Sequence, residues 1–228
     1  AYFAQVAPRD PNPIVDVMNQ LGYDAATPGN HDFNFGVVTL KESLRRASFQ
    51  VVSANIVGQP SVEPMFLRQA VLVRGGVRVG VTGFTTPGVM VWDRNNVRGQ
   101  AQVQRIGATA PAELRRLRQS SDFVIALVHS GMDGGSSYDS LGVGPENVAA
   151  SLAAGPVRPD LVVVGHSHRE MRDSVLNGVH FIQGKPYAQT LAVAHVSLVR
   201  DGAGWRVTAI RGDQIDLAGL EPPPGRFR

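Results

Sequence analysis

The chain has 228 residues, 43% of them apolar, and a net charge of +3 that rests on arginine, since Lys41 and Lys185 are its only lysines. That length can bury a substantial core in one large domain or two small ones, and no apolar run reaches the roughly 18 to 20 residues that a membrane-spanning helix needs. Cysteine is absent, which excludes disulfides, thiolate-bound zinc and a cysteine nucleophile, and the arginines are too scattered for a nucleic-acid footprint.

In chain order, Ile14, Val15, Val17, Met18 and Leu21 recur at helical spacing. Asn12 is the expected N-cap, Pro13 the first helical residue and Gly22 the stop. Tyr23–Thr27 reads as a strand, Val37–Ala47 as a helix and Phe49–Asn55 as a second strand. Phe66–Val73 and Val77–Phe84 read as two strands joined across Gly75-Gly76, a two-residue hairpin turn. A helix is expected over Ala110–Arg118, starting at Pro111 and capped by Thr109, with Arg115, Arg116 and Arg118 on its solvated side. Strand Phe123–Val128, a glycine- and serine-rich loop over Ser130–Gly144, helix Pro145–Ala154 and the buried strand Leu161–Val164 follow. Val175–Ile182, Thr190–Arg200 and Trp205–Ile215 read as further strands, the last two joined at Asp201-Gly202. From Ala218 the chain reads as a proline-rich linker. The alternating first half and antiparallel second half predict an α/β protein with a mixed sheet or two stacked sheets flanked by helices.

Three motifs carry the chemistry: Gly29-Asn30-His31-Asp32-Phe33-Asn34-Phe35-Gly36, His129-Ser130-Gly131 and Gly165-His166-Ser167-His168. Each follows a short apolar run, and ligands of open α/β sheets bind beyond the carboxyl ends of the strands. An Asn-His pair after a strand also reads as an ordinary turn, and His129 alone reads equally as a strand-end histidine. On an extended segment, His166 and His168 at i, i+2 would point the same way. His180 and His195 fall inside strands and read as structural. Imidazole and amide groups delivered by separate strands to one sheet edge point to a metal-dependent hydrolase.

Together these motifs, in order and spacing over nearly the whole chain, resemble the calcineurin-like metallophosphoesterase superfamily, and within it the 5′-nucleotidase and 2′,3′-cyclic-nucleotide 2′-phosphodiesterase group. The resemblance implies a sandwich of two mixed β-sheets flanked by helices. It also implies two divalent ions (manganese, zinc, iron, cobalt or magnesium), with Asn30, His129 and His166 holding one and His168 helping to hold the other. A metal-bridging hydroxide would attack phosphorus in line. His31 would act at the leaving oxygen as proton donor, oriented by Asp32 or Asn34. Phe33-Asn34-Phe35-Gly36, with Asn34 where 5′-nucleotidases of the group usually carry aspartate, and Pro145-Glu146-Asn147-Val148-Ala149 lean toward the cyclic-phosphodiesterase branch.

The chain departs from the family pattern at its start. The family's Asp-x-His loop and the Gly-Asp loop that supplies a bridging aspartate do not precede Gly29, and Asp10, Asp16 and Asp24 stand in no matching context. Ala1-Tyr2-Phe3-Ala4 resembles the helix just after that second loop. The expectation is therefore a catalytic domain over 1–217 lacking its first strands, with 218–228 a linker toward an absent C-terminal domain. Such a fragment should hold at most one metal and be inactive alone. The whole protein is expected to be periplasmic or secreted and to act on a nucleotide or other phosphoester, with no nucleic-acid polymer and no membrane as partner. Two alternatives stay open: a non-catalytic binding or scaffold domain that has lost its metals, and a phosphatase for non-nucleotide esters.

Overall fold

The computed structural model describes residues 12–220. The expected helix at Ala1–Ala4 and most of the proline-rich tail lie outside them. The architecture is mixed α/β. Its centre is a six-stranded sheet ordered β4-β5-β7-β8-β10-β9, built from β4 (Gln69–Arg74), β5 (Val77–Thr85), β7 (Phe123–His129), β8 (Leu161–Val164), β9 (Met171–Leu176) and β10 (Val179–Gln183). The inner four strands are parallel, and the edge strands β4 and β9 are antiparallel to their neighbours.

Helix α5 (Ile106–Ser120) covers one face, where Ile106, Ala110, Leu114 and Leu117 bury against Phe84, Val124, Ala126, Val128 and Phe181. On the other face lies an antiparallel ribbon of β11 (Thr190–Asp201) and β12 (Gly204–Asp216), whose Ala192, Ala194, Val196, Val207 and Ile210 pack on Phe123, Leu161 and Ile182. The expected sandwich is thus present, with this two-stranded ribbon as its second layer. A parallel pair, β1 (Ala25–Ala26) with β2 (Gln50–Val51), and an antiparallel pair, β3 (Ile56–Gly58) with β6 (Ala101–Val103), complete the strands.

Helix α1 (Pro13–Leu21) starts as the sequence predicts, with the Asn12 side chain accepting from the Ile14 N–H at 3.0 Å, and Gly22 follows its last residue. Helix α2 (Gly36–Leu44), α3 (Val89–Trp92) and α4 (Arg94–Val97) enclose a second small core, in which Phe33, Val37, Leu40, Ile56, Val89 and Val97 are buried. That core sets the position of the Asn30–Phe35 segment.

Four expectations need correction. Helix α5 begins at Ile106, so Pro111 lies in its interior and Thr109 is no cap; the Thr109 hydroxyl instead donates back to the Arg105 and Ile106 carbonyls. Val175–Ile182 is no single strand: Asn177 and Gly178, both at positive φ, turn the chain between β9 and β10. β1 and β2 are two residues each, shorter than read.

The expected helix over Pro145–Ala154 shrinks to one 3-10 turn, Ala149–Ala153. Its backbone donors are already engaged, Glu146 N–H to the Ser136 carbonyl, Val148 N–H to Ser130 Oγ, and Ala149 and Ala150 N–H to the Gly131 and Met132 carbonyls. An α-helix would need those groups for its own ladder.

At the start of β7, Asp122 is held by Arg78 of β5. The guanidinium donates to it at 2.8 and 3.1 Å and the Arg78 backbone N–H at 2.9 Å, which brings its carboxyl down to about 2. A folded-state value below the unfolded one adds stability that is present above the ordinary carboxylate range and lost as pH falls through about 2. Asp122→Asn should lower stability at neutral pH and flatten the stability–pH curve between about pH 4 and pH 2. Urea unfolding across that window measures it, and an unchanged slope in the variant would refute the assignment.

Candidate functional site

Registers in the central sheet bring two of the three motifs to one edge. Thr85 at the end of β5 aligns with His129 at the end of β7, and Val128 aligns with Val164, the last residue of β8 before Gly165-His166. The Gly165 N–H donates to the Val128 carbonyl and the Thr86 N–H to that of His129, which pins the emerging loops. The Asn30–Phe33 turn reaches the same edge because Thr85 Oγ1 donates to the Pro28 carbonyl at 2.7 Å and Phe33 is buried beneath it.

Asn30 Oδ1 lies 2.8 Å from His129 Nε2 and 3.2 Å from His166 Nδ1, and the two imidazole centroids are 5.2 Å apart. The His129 ring sits between Gly29 and Gly165. A Cβ at Gly29 would fall 2.7 Å from its Cε1 and one at Gly165 3.2 Å from its Nδ1, so both glycines are explained by room for this imidazole. Burial, reinforced by the neighbouring His166, His31 and His168, takes His129 down to about 3. It is therefore neutral near pH 7, with a nitrogen lone pair to offer.

The opposite side of His166 is held by a carboxylate: Glu146 Oε1 lies 2.8 Å from its Nε2. Burial works against the charge on Glu146, but the Ser136 N–H and the His166 ring outweigh it and keep the carboxyl below its usual value. The Glu146 backbone carbonyl accepts from Thr86 Oγ1 and Ser130 Oγ, both at 2.9 Å. Trp92 stacks on the His166 ring at 5.6 Å and donates through Nε1 to the Tyr138 hydroxyl. With its Nε2 proton directed at Glu146, His166 presents the Nδ1 lone pair to Asn30 Oδ1, itself an acceptor.

Asn30 Oδ1, His129 Nε2 and His166 Nδ1 thus converge; with the ring protons on His129 Nδ1 and His166 Nε2, all three would offer lone pairs to one cation. This donor set fits one divalent ion of the kind that takes imidazole and amide oxygen. Among the described residues no group of three or more histidine, cysteine, aspartate and glutamate side chains is placed to hold a metal, so the fit depends on the Asn30 amide. His168 is exposed and lies 6.0 Å from the Tyr187 ring, ring centre to ring centre. The expected i, i+2 alignment of His166 with His168 does not apply, because φ is 78° and 52° at the two residues rather than extended. Positive φ outside glycine costs energy and clusters at functional sites.

His31 is exposed, with Nδ1 2.9 Å from Asn34 Oδ1. Asp32 instead accepts from the Gly29 N–H at 2.7 Å, so of the two candidate orienting groups Asn34 is the one in contact. His180 pairs with Asp173 at 2.7 Å between β10 and β9, and His195 is exposed on β11; neither joins the site. Glu146 is the residue that reading the sequence missed. It stood out only within the Pro145–Ala149 stretch, with no site role, because a separation of 20 positions from His166 hides the pairing.

Carboxylate partners of metal-binding imidazoles are commonly worth 10- to 100-fold in affinity. Glu146→Gln should weaken zinc binding by about that factor while leaving the unfolding midpoint nearly unchanged. Competition against a chromophoric chelator reads the affinity, and unaltered binding would remove Glu146 from the site.

The family model described as calcineurin-like phosphoesterase matches residues 6–170. The chain is 29% identical over 230 residues to the trifunctional nucleotide phosphoesterase YfkN of Bacillus subtilis, covering 91% of this chain and 16% of that protein. It is 30% identical over 223 residues to a 2′,3′-cyclic-nucleotide 2′-phosphodiesterase/3′-nucleotidase of Haemophilus influenzae, covering 87% of this chain and 33% of the relative. It thus spans a third or less of these relatives' length. The crystal structure of YfkN, at 28% identity, superposes with a TM-score of 0.84 over 96% of this chain and 72% of that one. By the extent of the family match and the agreement in fold, this chain is a member of the calcineurin-like phosphoesterase family.

Proposed function

We propose that this chain is the catalytic part of a metal-dependent phosphoester hydrolase acting on nucleotides, as a 2′,3′-cyclic-nucleotide 2′-phosphodiesterase with 3′- or 5′-nucleotidase activity. The observation that carries this is the convergence of Asn30 Oδ1, His129 Nε2 and His166 Nδ1 at one sheet edge. These three would hold one ion, and His168 is assigned to a second. When bound, divalent ions supply a Lewis acid for the phosphoryl oxygens and a nucleophile at neutral pH.

The chain's own residues do the rest. Glu146 keeps the Nε2 proton of His166 so that Nδ1 faces the donor set, and Trp92 shields that ring. His31, exposed at the rim with its Nδ1 engaged by Asn34, has Nε2 unengaged among the described residues, and in its doubly protonated form can give the Nε2 proton to the departing oxygen. Names of the matched relatives support a nucleotide substrate, and placement outside the cytoplasm is proposed on the same kinship.

The test is a substrate panel of 2′,3′-cyclic nucleotides, 3′- and 5′-nucleotides and a non-nucleotide phosphomonoester, run on the whole natural protein with manganese and with chelator. Chelator-sensitive turnover of the nucleotides supports the proposal, and preference for the non-nucleotide ester would refute the substrate class. One observation favours a second reading: none of the three converging donors is anionic, as in a binding domain that keeps the fold without catalysis. Metal-independent nucleotide binding with no turnover would select it.

A further inference from the structure

We propose that Asp93 is a positioning residue for His31, acting through the side-chain amide of Asn34. The inference rests on the reading of His31 as proton donor, and it begins from a network joining two segments far apart in sequence. Asn34 Nδ2 donates to Asp93 Oδ1 at 2.9 Å, while Asn34 Oδ1 lies 2.9 Å from His31 Nδ1. Asn96 Nδ2 reaches the same Asp93 oxygen and the Asn34 backbone carbonyl, each at 3.0 Å. Asp93 sits at the junction of α3 and α4 and is only 4% exposed. Its second oxygen, Oδ2, is buried with no partner among the described residues.

An amide side chain is nearly symmetric in shape, so packing alone does not choose which end faces His31. Asp93 chooses. A carboxylate only accepts hydrogen bonds, so the Asn34 NH₂ must face it, and the amide oxygen is left pointing at the imidazole. That oxygen also only accepts, so Nδ1 of His31 must carry the proton. The nitrogen left to exchange a proton at the rim is then Nε2.

With the amide reversed, its NH₂ would meet Nδ1, and the neutral ring would keep its proton on Nε2 with no acceptor behind it. That is the wrong tautomer, the fault that disables a histidine when its orienting group is changed. Burying a carboxylate oxygen without a partner is costly and has no evident packing return, which is common where a polar group serves a site rather than the fold.

The test pairs two readouts on Asp93→Asn, Asn34→Asp and the double variant N34D/D93N. Long-range ¹H–¹⁵N correlation of metal-free Ala1–Arg228 reads the His31 tautomer, and kcat and KM are measured in the whole natural protein with manganese and a 2′,3′-cyclic nucleotide. Asp93→Asn should turn a pure Nδ1–H ring into a mixture and lower kcat by about 10- to 100-fold, the scale for groups that orient a first contact, with KM little changed. Asn34→Asp should do comparable harm, because two carboxylates then face one another.

The double variant should recover part of the loss. The carboxylate introduced at 34 accepts from Nδ1–H, while the amide nitrogen introduced at 93 takes the place of Oδ1 and donates to it, at the expense of the Asn96 contact with that same atom. Should Asp93→Asn fail to fold, the comparison of Asn34→Asp with the double variant carries the test. An unchanged tautomer in Asp93→Asn, or a double variant no better than Asn34→Asp, would overturn the proposal. Tautomer shifts as expected in a protein whose wild type hydrolyses no phosphoester would uphold the role of Asp93 and overturn the proton-donor reading.

Discussion

His31→Ala is expected to lower turnover of the whole natural protein by roughly 10²- to 10⁴-fold, the usual scale for a positioned acid–base group, while leaving its metal content nearly unchanged. The two halves of this result follow from geometry. His31 stands beside Asn30 in sequence, but its ring nitrogen contacts Asn34 rather than the atoms that face the donor set. On the proposed roles, its removal therefore takes away a proton donor and no ligand. The rate loss corresponds to about 3 to 5 kcal/mol of transition-state stabilisation. Elemental analysis of purified variant and wild type, alongside steady-state kinetics, separates the two possible roles. Loss of bound metal in His31→Ala would show that His31 is a ligand after all.

The polypeptide Ala1–Arg228, purified alone, should bind at most one divalent ion per chain and show no measurable turnover. Two such ions bring four positive charges, whereas Asn30, His129, His166 and His168 are all neutral as ligands. Glu146, whose carboxylate touches His166 of the cluster, is engaged with that ring's Nε2 and with the Ser136 N–H. Neutral amide and imidazole donors suit a single zinc, nickel or copper ion better than a bridged pair of harder cations. Mass-spectrometric metal stoichiometry after dialysis gives the answer directly. A ratio near two together with robust cyclic-phosphodiesterase activity would show that the donor set is larger than the three converging atoms.

Parts of this molecule were legible from local sequence because their causes are local. Asn12, Pro13 and Gly22 bracket α1, since a cap, a pre-set φ and a helix stop each act within a few residues. Gly75-Gly76 set the β4–β5 turn for the same reason. The Asn177-Gly178 turn carried an equally strong local signal, and reading β9 and β10 as one strand missed it. Asn30, His129 and His166 could be picked out because each follows an apolar run. The parallel strands before His129 and His166 end on a common edge of one sheet, whereas Asn30 follows β1 of a separate pair and reaches that edge through the Thr85–Pro28 hydrogen bond.

What the sequence by itself determined is therefore the class of the fold, the strand exits and the residue types delivered there. Which atoms meet was decided only by the tertiary structure. The left-handed backbone at His166 and His168 breaks the simple alternation of an extended segment, so spacing could not say where either ring goes. The 145–150 segment is helical by composition, yet its donors are taken by Ser136, Ser130, Gly131 and Met132, and that capture places Glu146 on His166. Asp93 meets Asn34 across 59 residues because α3 and α4 pack into the small core around Phe33. Local periodicity reports how a segment folds on itself. Hydrogen bonds across such separations depend on how whole elements pack, and no window of sequence contains both partners.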